Sequence, residues 1–222
     1  MINTKKSSIR SKVIEMSKTW KGVSDIHKQT LNALIGEFSK LHYIDEGNNK
    51  INVKCIYGGA ERVVARINVE DNIILPIISV IPKASKQDES RRRYFPTLNH
   101  TKYWDDKKQK AVRIVSLAPK PINLFFEINI WGKYVSDINQ LAEQVRRKFN
   151  PSMPVITEIH KDTKSFIDSE ENSYQTVLGD SDSRVMLKKV ILRIESYVPN
   201  PSFIVTSTGK IEEINGQIEL RK

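Results

Sequence analysis

The chain has 222 residues, with 36 Lys and Arg against 26 Asp and Glu, and a formal net charge of +10. This length suits one sizeable domain with appendages, and the hydrophobic fraction of 39% argues against wholesale disorder. The positive charge favours an acidic partner, either nucleic acid or an anionic protein surface. A lone cysteine, Cys55, excludes an intramolecular disulfide framework and a cysteine-based zinc site.

No stretch of the sequence has the length and apolarity of a membrane span. The longest apolar run, residues 73–81, is interrupted by Pro76 and Ser79 and is far shorter than the ~20 residues that cross a bilayer. Residues 1–22 hold several lysines and no unbroken apolar stretch, so no signal peptide is expected. The sequence therefore predicts a soluble intracellular protein, or part of something that is assembled inside a cell.

Two amphipathic helices are predicted near the start of the chain. The first is capped by Ser7 or Ser8 and ends at Gly22, and the second is capped by Ser24 or Asp25. The first has an apolar stripe of Ile9, Val13, Met16 and Trp20. The second has a stripe of Leu31, Leu34, Ile35, Phe38 and Leu41 and ends in a polar turn at residues 45–49.

The pattern then changes to a period of two residues, which is typical of strands. A half-buried strand is predicted over residues 51–57, ended by Gly58 and Gly59, and a short helix over residues 61–68. Residues 73–81 are apolar on both faces, which favours a central strand. Pro76 in their middle argues instead for an edge or a bulge, so the two signals conflict.

Residues 82–113 are read as a long basic loop. They hold ten Lys and Arg against four Asp and Glu, which is +6 of the net charge, and they include Tyr94, Phe95, Tyr103 and Trp104. A loop this long inside a compact domain is commonly a binding element. Arginines could follow phosphates while the aromatic rings stack on bases, or they could bridge carboxylates of a partner protein. A solvated loop that keeps the protein soluble is the third interpretation.

The remaining elements follow in order. Strands are predicted over residues 112–117 and 122–134, then a helix capped by Ser136, with a buried stripe of Ile138, Leu141, Ala142, Val145 and Phe149. A short strand over 155–159, an irregular segment over 161–178 and a long strand over 184–198 come next. The stretch Ile214-Asn215-Gly216-Gln217-Ile218 predicts a tight hairpin with a type I′ turn.

No catalytic residue, metal ligand set or cofactor motif can be named from the sequence. The four histidines, His27, His42, His100 and His160, are scattered and lack metal-site spacing. Cys55 lies on the apolar face of a predicted strand, which is typical of a buried, inert thiol. An enzyme is therefore the least favoured class.

Four stretches, in this order and spacing, carry a family resemblance: VKCIYGGAERVVARI (53–67), ILPIISVIPKAS (74–85), SLAPKPINLFFEINIWGKYVSDINQLAEQV (116–145) and SRVMLKKVILRIESYVPNP (183–201). The chain resembles the tail sheath terminator, also called tail sheath stabiliser or tail completion protein, of contractile-tailed bacteriophages. The resemblance implies an α+β fold with a mixed or antiparallel sheet flanked by helices. Residues 23–201 are the expected core, with residues 1–22 as an N-terminal helical arm and residues 202–222 as a C-terminal hairpin arm.

The resemblance also implies a non-enzymatic role in the virion. Family members form a hexameric ring at the head-proximal end of the tail, where the ring contacts the tail sheath protein, the tube terminator and the neck proteins, and DNA passes through the lumen. Tail assembly would take place in the host cytoplasm. The rival interpretations are a tube terminator, a neck or connector protein and, from another class, a basic nucleic-acid-binding protein. The expected interface residues are Arg91, Arg92, Arg93, Tyr94, Phe95, Tyr103, Trp104, Trp20, Ile214 and Ile218.

Overall fold

The chain folds into two units of unequal size. A computed structural model describes residues 9–59, 63, 75–105, 109–157, 163–173, 185–205 and 211–215. Unit 1 consists of Met1–Ser24, Asp88–Pro121 and Tyr197–Lys222, and unit 2 consists of Asp25–Gln87 and Ile122–Ser196. Each unit is therefore assembled from segments that are far apart in the sequence.

Unit 2 is built around a mixed sheet of seven strands. Its strands are β3 (Lys54–Tyr57), β4 (Ile77–Pro82), β5 (Lys86–Gln87), β8 (Lys120–Gly132), β9 (Met153–Val155), β10 (Thr163–Ser173) and β11 (Met186–Val198). The order is β3-β4-β8-β11-β10-β9, and β5 pairs with β8 at the side of this path. Because β3 pairs with β4 in parallel while β4 pairs with β8 antiparallel, the predicted α+β fold with a mixed sheet is confirmed.

The described residues of unit 2 also form two helices and a small hairpin. The helices are α2 (Ile26–Phe38) and α3 (Val135–Lys148), and the hairpin pairs β1 (His42–Ile44) with β2 (Lys50–Asn52). Apolar residues from both helices and the sheet form one core, which includes Leu34, Phe38, Phe126, Ile128, Leu141, Val145 and Leu192. The stripe predicted for α3 is buried as expected from its 3.6-residue periodicity, except that Phe149 follows the last residue of the helix and is only partly buried.

Two glutamines of α3 complete the hydrogen bonding of β1. The side chain of Gln140 accepts a hydrogen bond from the backbone N–H of Ile44 (3.0 Å) and donates one to its carbonyl (3.2 Å). Gln144 does the same for the N–H and carbonyl of His42. Residues four apart on a helix lie on one face, as alternate residues of a strand do. The two side chains of α3 therefore make the backbone hydrogen bonds that a neighbouring strand would make on this edge of β1.

The double substitution Gln140→Ala, Gln144→Ala is expected to lower the free energy of unfolding by about 1–2 kcal/mol, since backbone groups of β1 lose their partners. Urea denaturation would measure the loss. Asn139→Ala, at an exposed position of the same helix, is the matched control and should cost nothing measurable. Equal stability of the double variant and the wild type would show that water replaces the amides without penalty.

Unit 1 is a four-stranded antiparallel sheet covered by one helix. The strands are β6 (Leu98–Asp105), β7 (Lys110–Leu117), β12 (Ser202–Val205) and β13 (Ile211–Asn215), in the order β13-β12-β7-β6. Helix α1 (Ile9–Thr19) buries Val13 in a cluster with Val115, Phe203 and Val205. The predicted first helix is confirmed, while its proposed caps, Ser7 and Ser8, lie outside the described residues.

The structure corrects several predicted elements. Residues 82–113 are not a continuous loop, because they contain β5, β6 and the start of β7. The segment predicted as irregular over 161–178 contains β10, and the short strand after α3 is Met153–Val155 rather than 155–159. Strands β1 and β12 were not predicted. The helix expected over 61–68 lies outside the described residues, apart from Val63.

Predicted caps and turns also need correction. Strand β4 begins at Ile77, directly after Pro76, so the proline precedes an internal strand and the conflict disappears. Helix α3 begins at Val135, one residue before the predicted cap Ser136. Asp25 occupies the predicted N-cap position of α2, but its side chain makes no capping hydrogen bond. The observed C-terminal hairpin pairs β12 with β13, whereas the turn expected at Asn215-Gly216 extends outside the described residues.

Candidate protein interface

The two units differ sharply in charge. Unit 1 contains 18 Lys and Arg against 8 Asp and Glu, a net charge of 18 − 8 = +10. Unit 2 contains 18 of each, a net charge of zero. The whole excess of positive charge therefore belongs to unit 1, where it produces a field that attracts anionic partners.

A turn centred on Asp88 holds the beginning of the arginine-rich segment. Its carboxylate accepts hydrogen bonds from the backbone N–H of Ser90 (2.9 Å), the Ser90 hydroxyl (2.6 Å) and the Arg91 Nε (2.7 Å). The guanidinium of Arg91 also lies 5.0 Å from the centre of the Tyr197 ring. Arg91, expected as an interface residue, is thus largely engaged within its own unit, with 22% of its side chain exposed.

The pKa of the Asp88 carboxyl is held well below its usual range by the Ser90 hydroxyl and then by Arg91, which outweigh its partial burial. A lowered carboxyl pKa means that the turn is stabilised at any pH above the ordinary value of 3.8 and weakens only as the pH falls below it. The turn is therefore fully formed at neutral pH.

A second group of hydrogen bonds holds the other end of the segment. The guanidinium of Arg10 on α1 donates to the carbonyl of Pro96 (3.2 Å). The Thr97 hydroxyl donates to the Phe95 carbonyl (3.3 Å), and the Ala118 N–H donates to the Thr97 carbonyl (2.8 Å). Residues 92–95, here called the tip loop, are consequently fixed on both sides.

The tip loop presents its side chains to solvent. Tyr94 is 98% exposed and Phe95 is 76% exposed, and Arg92 and Arg93 are exposed beside them. Tyrosine and arginine are enriched among residues that dominate binding energy at interfaces. The side chains of the tip loop are therefore available for contact with another molecule and are not packed on the surface of their own unit.

Replacing Asp88 with alanine is expected to release Arg91 and increase the rate of tryptic cleavage within residues 91–93 several-fold, because proteolysis follows local opening. Mass spectrometry of a digestion time course would measure it. Glu89→Ala removes a neighbouring carboxylate that is not the acceptor described above and serves as the control. An unchanged cleavage rate would mean that the turn does not restrain the loop.

The other predicted interface residues lie elsewhere in unit 1. Trp104 on the edge strand β6 is 57% exposed, and Ile214 on the opposite edge strand β13 is 50% exposed. Trp20 is half-buried, and its ring lies against Gly22, where an added Cβ would meet ring carbons at 1.9 Å. Tyr103 pairs with Val112 through the backbone, and Ile218 lies outside the described residues. Some of the predicted interface residues are thus grouped at the tip loop, and the others lie at separate positions.

Sequence reasoning missed the residues that hold the tip loop in place. The Asp88-x-Ser90 spacing is a known signal of a turn in which the aspartate accepts backbone and hydroxyl hydrogen bonds, so Asp88 could have been found. Tyr197 and Arg10 are distant in the sequence and carry no comparable signal. Strand β6 was missed because most of its described side chains are exposed, on both faces, which leaves no apolar alternation to detect.

The described residues contain little that points to chemistry. Burial raises the pKa of the Cys55 thiol to about 12, so this thiol stays protonated at neutral pH and is a poor nucleophile. Within the described ranges, no three metal-binding side chains are grouped. The helices of those ranges include none with the length and apolarity of a membrane span.

A positively charged unit with an anchored, exposed loop of arginines and aromatic rings is typical of a protein that contacts other macromolecules. The chain belongs to the family described as T4-like virus Myoviridae tail sheath stabiliser, whose model matches residues 24–218. No curated protein matches the chain. The matched range includes the C-terminal strands and begins after α1.

Membership confirms the family identified from the four sequence stretches. The protein is a structural component of the contractile tail of a bacteriophage, interacts with the tail sheath and other tail components, and is part of the virion. A role of this kind is non-enzymatic.

Proposed function

We propose that six copies of the protein form a closed ring at the head-proximal end of the tail, where the ring terminates the contractile sheath and joins the tail to the neck. The tube terminator would lie beneath the ring, the last sheath disc around it and the neck proteins above it. The observation that carries this proposal is the family match over residues 24–218, which spans most of both units.

Exposed apolar side chains in both units support a ring. A closed ring requires contacts between two different surfaces of the same chain, and exposed apolar side chains on both units are available for such contacts. Unit 1 exposes Trp104 and Ile214, and unit 2 exposes Tyr134, Val135 and Ile156. In this proposal, residues 1–22 and 202–222 act as arms that contact neighbouring copies around the core of residues 23–201.

The mass of the purified protein tests the ring. Light scattering across a range of concentrations is expected to approach six times the 25.5 kDa of the chain. A compact monomer under all conditions, including in the presence of tails, would contradict a ring. A monomer or dimer with steeply salt-dependent DNA affinity would favour the rival nucleic-acid-binding protein.

The position in the virion needs a separate test, because a tube terminator or a neck protein would also form a ring. Immunogold labelling of tails, followed by electron microscopy, should place the protein at the head-proximal end of the sheath. Tails assembled without the protein should lose their sheath subunits. Label confined to the neck of a tail whose sheath is complete without the protein would favour a connector.

A further inference from the structure

We infer that the tip loop is a preformed docking element for an acidic protein surface that contains an apolar pocket, on a tail or neck component other than this chain. The inference rests on the proposed function, in which such components adjoin the ring, and it assigns one of those contacts to residues 92–95.

The charge distribution indicates an anionic partner. Arg92 and Arg93 are exposed and belong to a unit with a net charge of +10. A second copy of the chain is a poor occupant, because it offers either another unit of the same charge or a unit of zero net charge. Like charges brought together at an interface disfavour association. The partner is therefore a different molecule.

The anchoring of the loop favours a protein recognised in a defined geometry. Asp88 and Arg91 fix one end, and the Arg10 and Thr97 hydrogen bonds fix the other. An element that is already ordered before binding loses less conformational freedom when it binds. A loop that bound its partner only by non-specific electrostatic attraction would not need this restraint.

The two aromatic rings distinguish a protein from duplex DNA. In a duplex the bases are stacked on one another, so its backbone engages the arginines through phosphates and leaves Tyr94 and Phe95 without a partner. Aromatic rings contribute to nucleic-acid binding when bases are unpaired and free to stack. A protein surface with an apolar pocket uses both kinds of side chain, as aromatic and arginine residues do at the centres of protein interfaces.

The experiment measures binding of the full-length protein to tails that were assembled without it, at low and at high salt. Arg92→Ala, Arg93→Ala is expected to weaken binding at low salt by about tenfold or more and to reduce its salt dependence. Tyr94→Ala, Phe95→Ala is expected to weaken binding by about tenfold or more at both salt concentrations. Circular dichroism would verify that both variants are folded.

Matched controls separate the tip loop from general charge and apolarity. Lys102→Ala, Lys120→Ala removes two exposed cations of unit 1 that lie outside the tip loop and outside residues 1–22, and Tyr57→Ala removes an aromatic ring that is 54% exposed in unit 2. Both should bind tails within about twofold of the wild type, since contacts outside an interface centre contribute little. A loss in the charge control equal to that of Arg92→Ala, Arg93→Ala would overturn a specific role for the loop.

Nucleic acid is the alternative partner of the tip loop. Binding of the protein to a 20-mer DNA duplex and to a 20-mer of oligo(dT) tests this alternative. Tail binding that is unchanged in both tip-loop variants, with DNA binding lost in the arginine variant, would overturn the inference in favour of nucleic acid. Light scattering of the same samples distinguishes this failure from failure of the ring. Tip-loop variants that form assemblies of the same mass as the wild type but do not bind tails would support the inference. This holds whether the assembly is a hexamer or not.

Discussion

Phe126→Ala is expected to lower the free energy of unfolding by about 3–5 kcal/mol, the largest effect of any single substitution considered. Phe126 lies on β8, an internal strand of the seven-stranded sheet, and is 1% exposed within the main core. Truncation removes the buried ring and leaves a cavity that the surrounding strands cannot fill. Urea denaturation followed by tryptophan fluorescence would measure the loss.

The same substitution on the tip loop provides the control. Phe95 is 76% exposed, so Phe95→Ala should change the free energy of unfolding by about 0.5 kcal/mol or less. The two phenylalanines therefore separate a stability effect from a binding effect. Similar unfolding midpoints for the two variants would contradict the assignment of β8 to the core.

Glu170→Ala is expected to cost about 2 kcal/mol, because it removes the shared partner of two cations. The Glu170 carboxylate accepts hydrogen bonds from Arg146 Nε (2.8 Å) and Nη2 (2.6 Å) and lies 3.6 Å from the Lys188 ammonium. Only 8% of the Lys188 side chain is exposed, so water cannot fully replace the lost carboxylate. Chemical denaturation at neutral pH would measure the change.

Glu143→Ala is the matched control for Glu170→Ala. Glu143 pairs with Arg147 four residues later on α3, with side chains 65% and 77% exposed. An exposed pair of this kind contributes roughly 0–1 kcal/mol. If Glu170→Ala and Glu143→Ala lowered the free energy of unfolding equally, the buried Lys188 would add nothing to the ion pair of Glu170.

The pH dependence of stability tests the Glu170 ion pair with another variant, Glu170→Gln. Arg146 holds the pKa of Glu170 below its ordinary value of 4.5. Stabilisation from a lowered carboxyl pKa is present above the ordinary value and is lost as the pH falls through the folded-state value. The difference in the free energy of unfolding between the wild type and Glu170→Gln should therefore decrease as the pH is lowered. A difference independent of pH from neutrality to pH 3 would contradict the ion-pair account.

Much of unit 2 follows from apolar periodicity. Strand β8 and helix α3 were predicted within one or two residues of their observed starts, because their buried faces are continuous and strongly patterned. Strand β10 gives no such signal, since its buried positions include Ser165, whose hydroxyl bonds to the Met153 carbonyl. A small polar residue satisfied locally can occupy the interior of a sheet without any apolar mark in the sequence.

The candidate site was predicted only in part, for a different reason. Composition singled out the arginines and aromatic residues of the basic segment, but it could not separate Arg91 from its two neighbours. That separation depends on Asp88 and on Tyr197, which approaches from the far end of the chain. Long-range contacts of this kind are decided by tertiary structure, so the structure reduces a predicted triplet to two exposed arginines.

The glutamine pair on α3 has a consequence for solubility. An open strand edge invites pairing with another molecule and promotes aggregation. Because Gln140 and Gln144 occupy the N–H and carbonyl groups of Ile44 and His42, that edge cannot recruit a stray chain. A glutamate at either position could accept but not donate, and would leave one carbonyl available to a foreign strand.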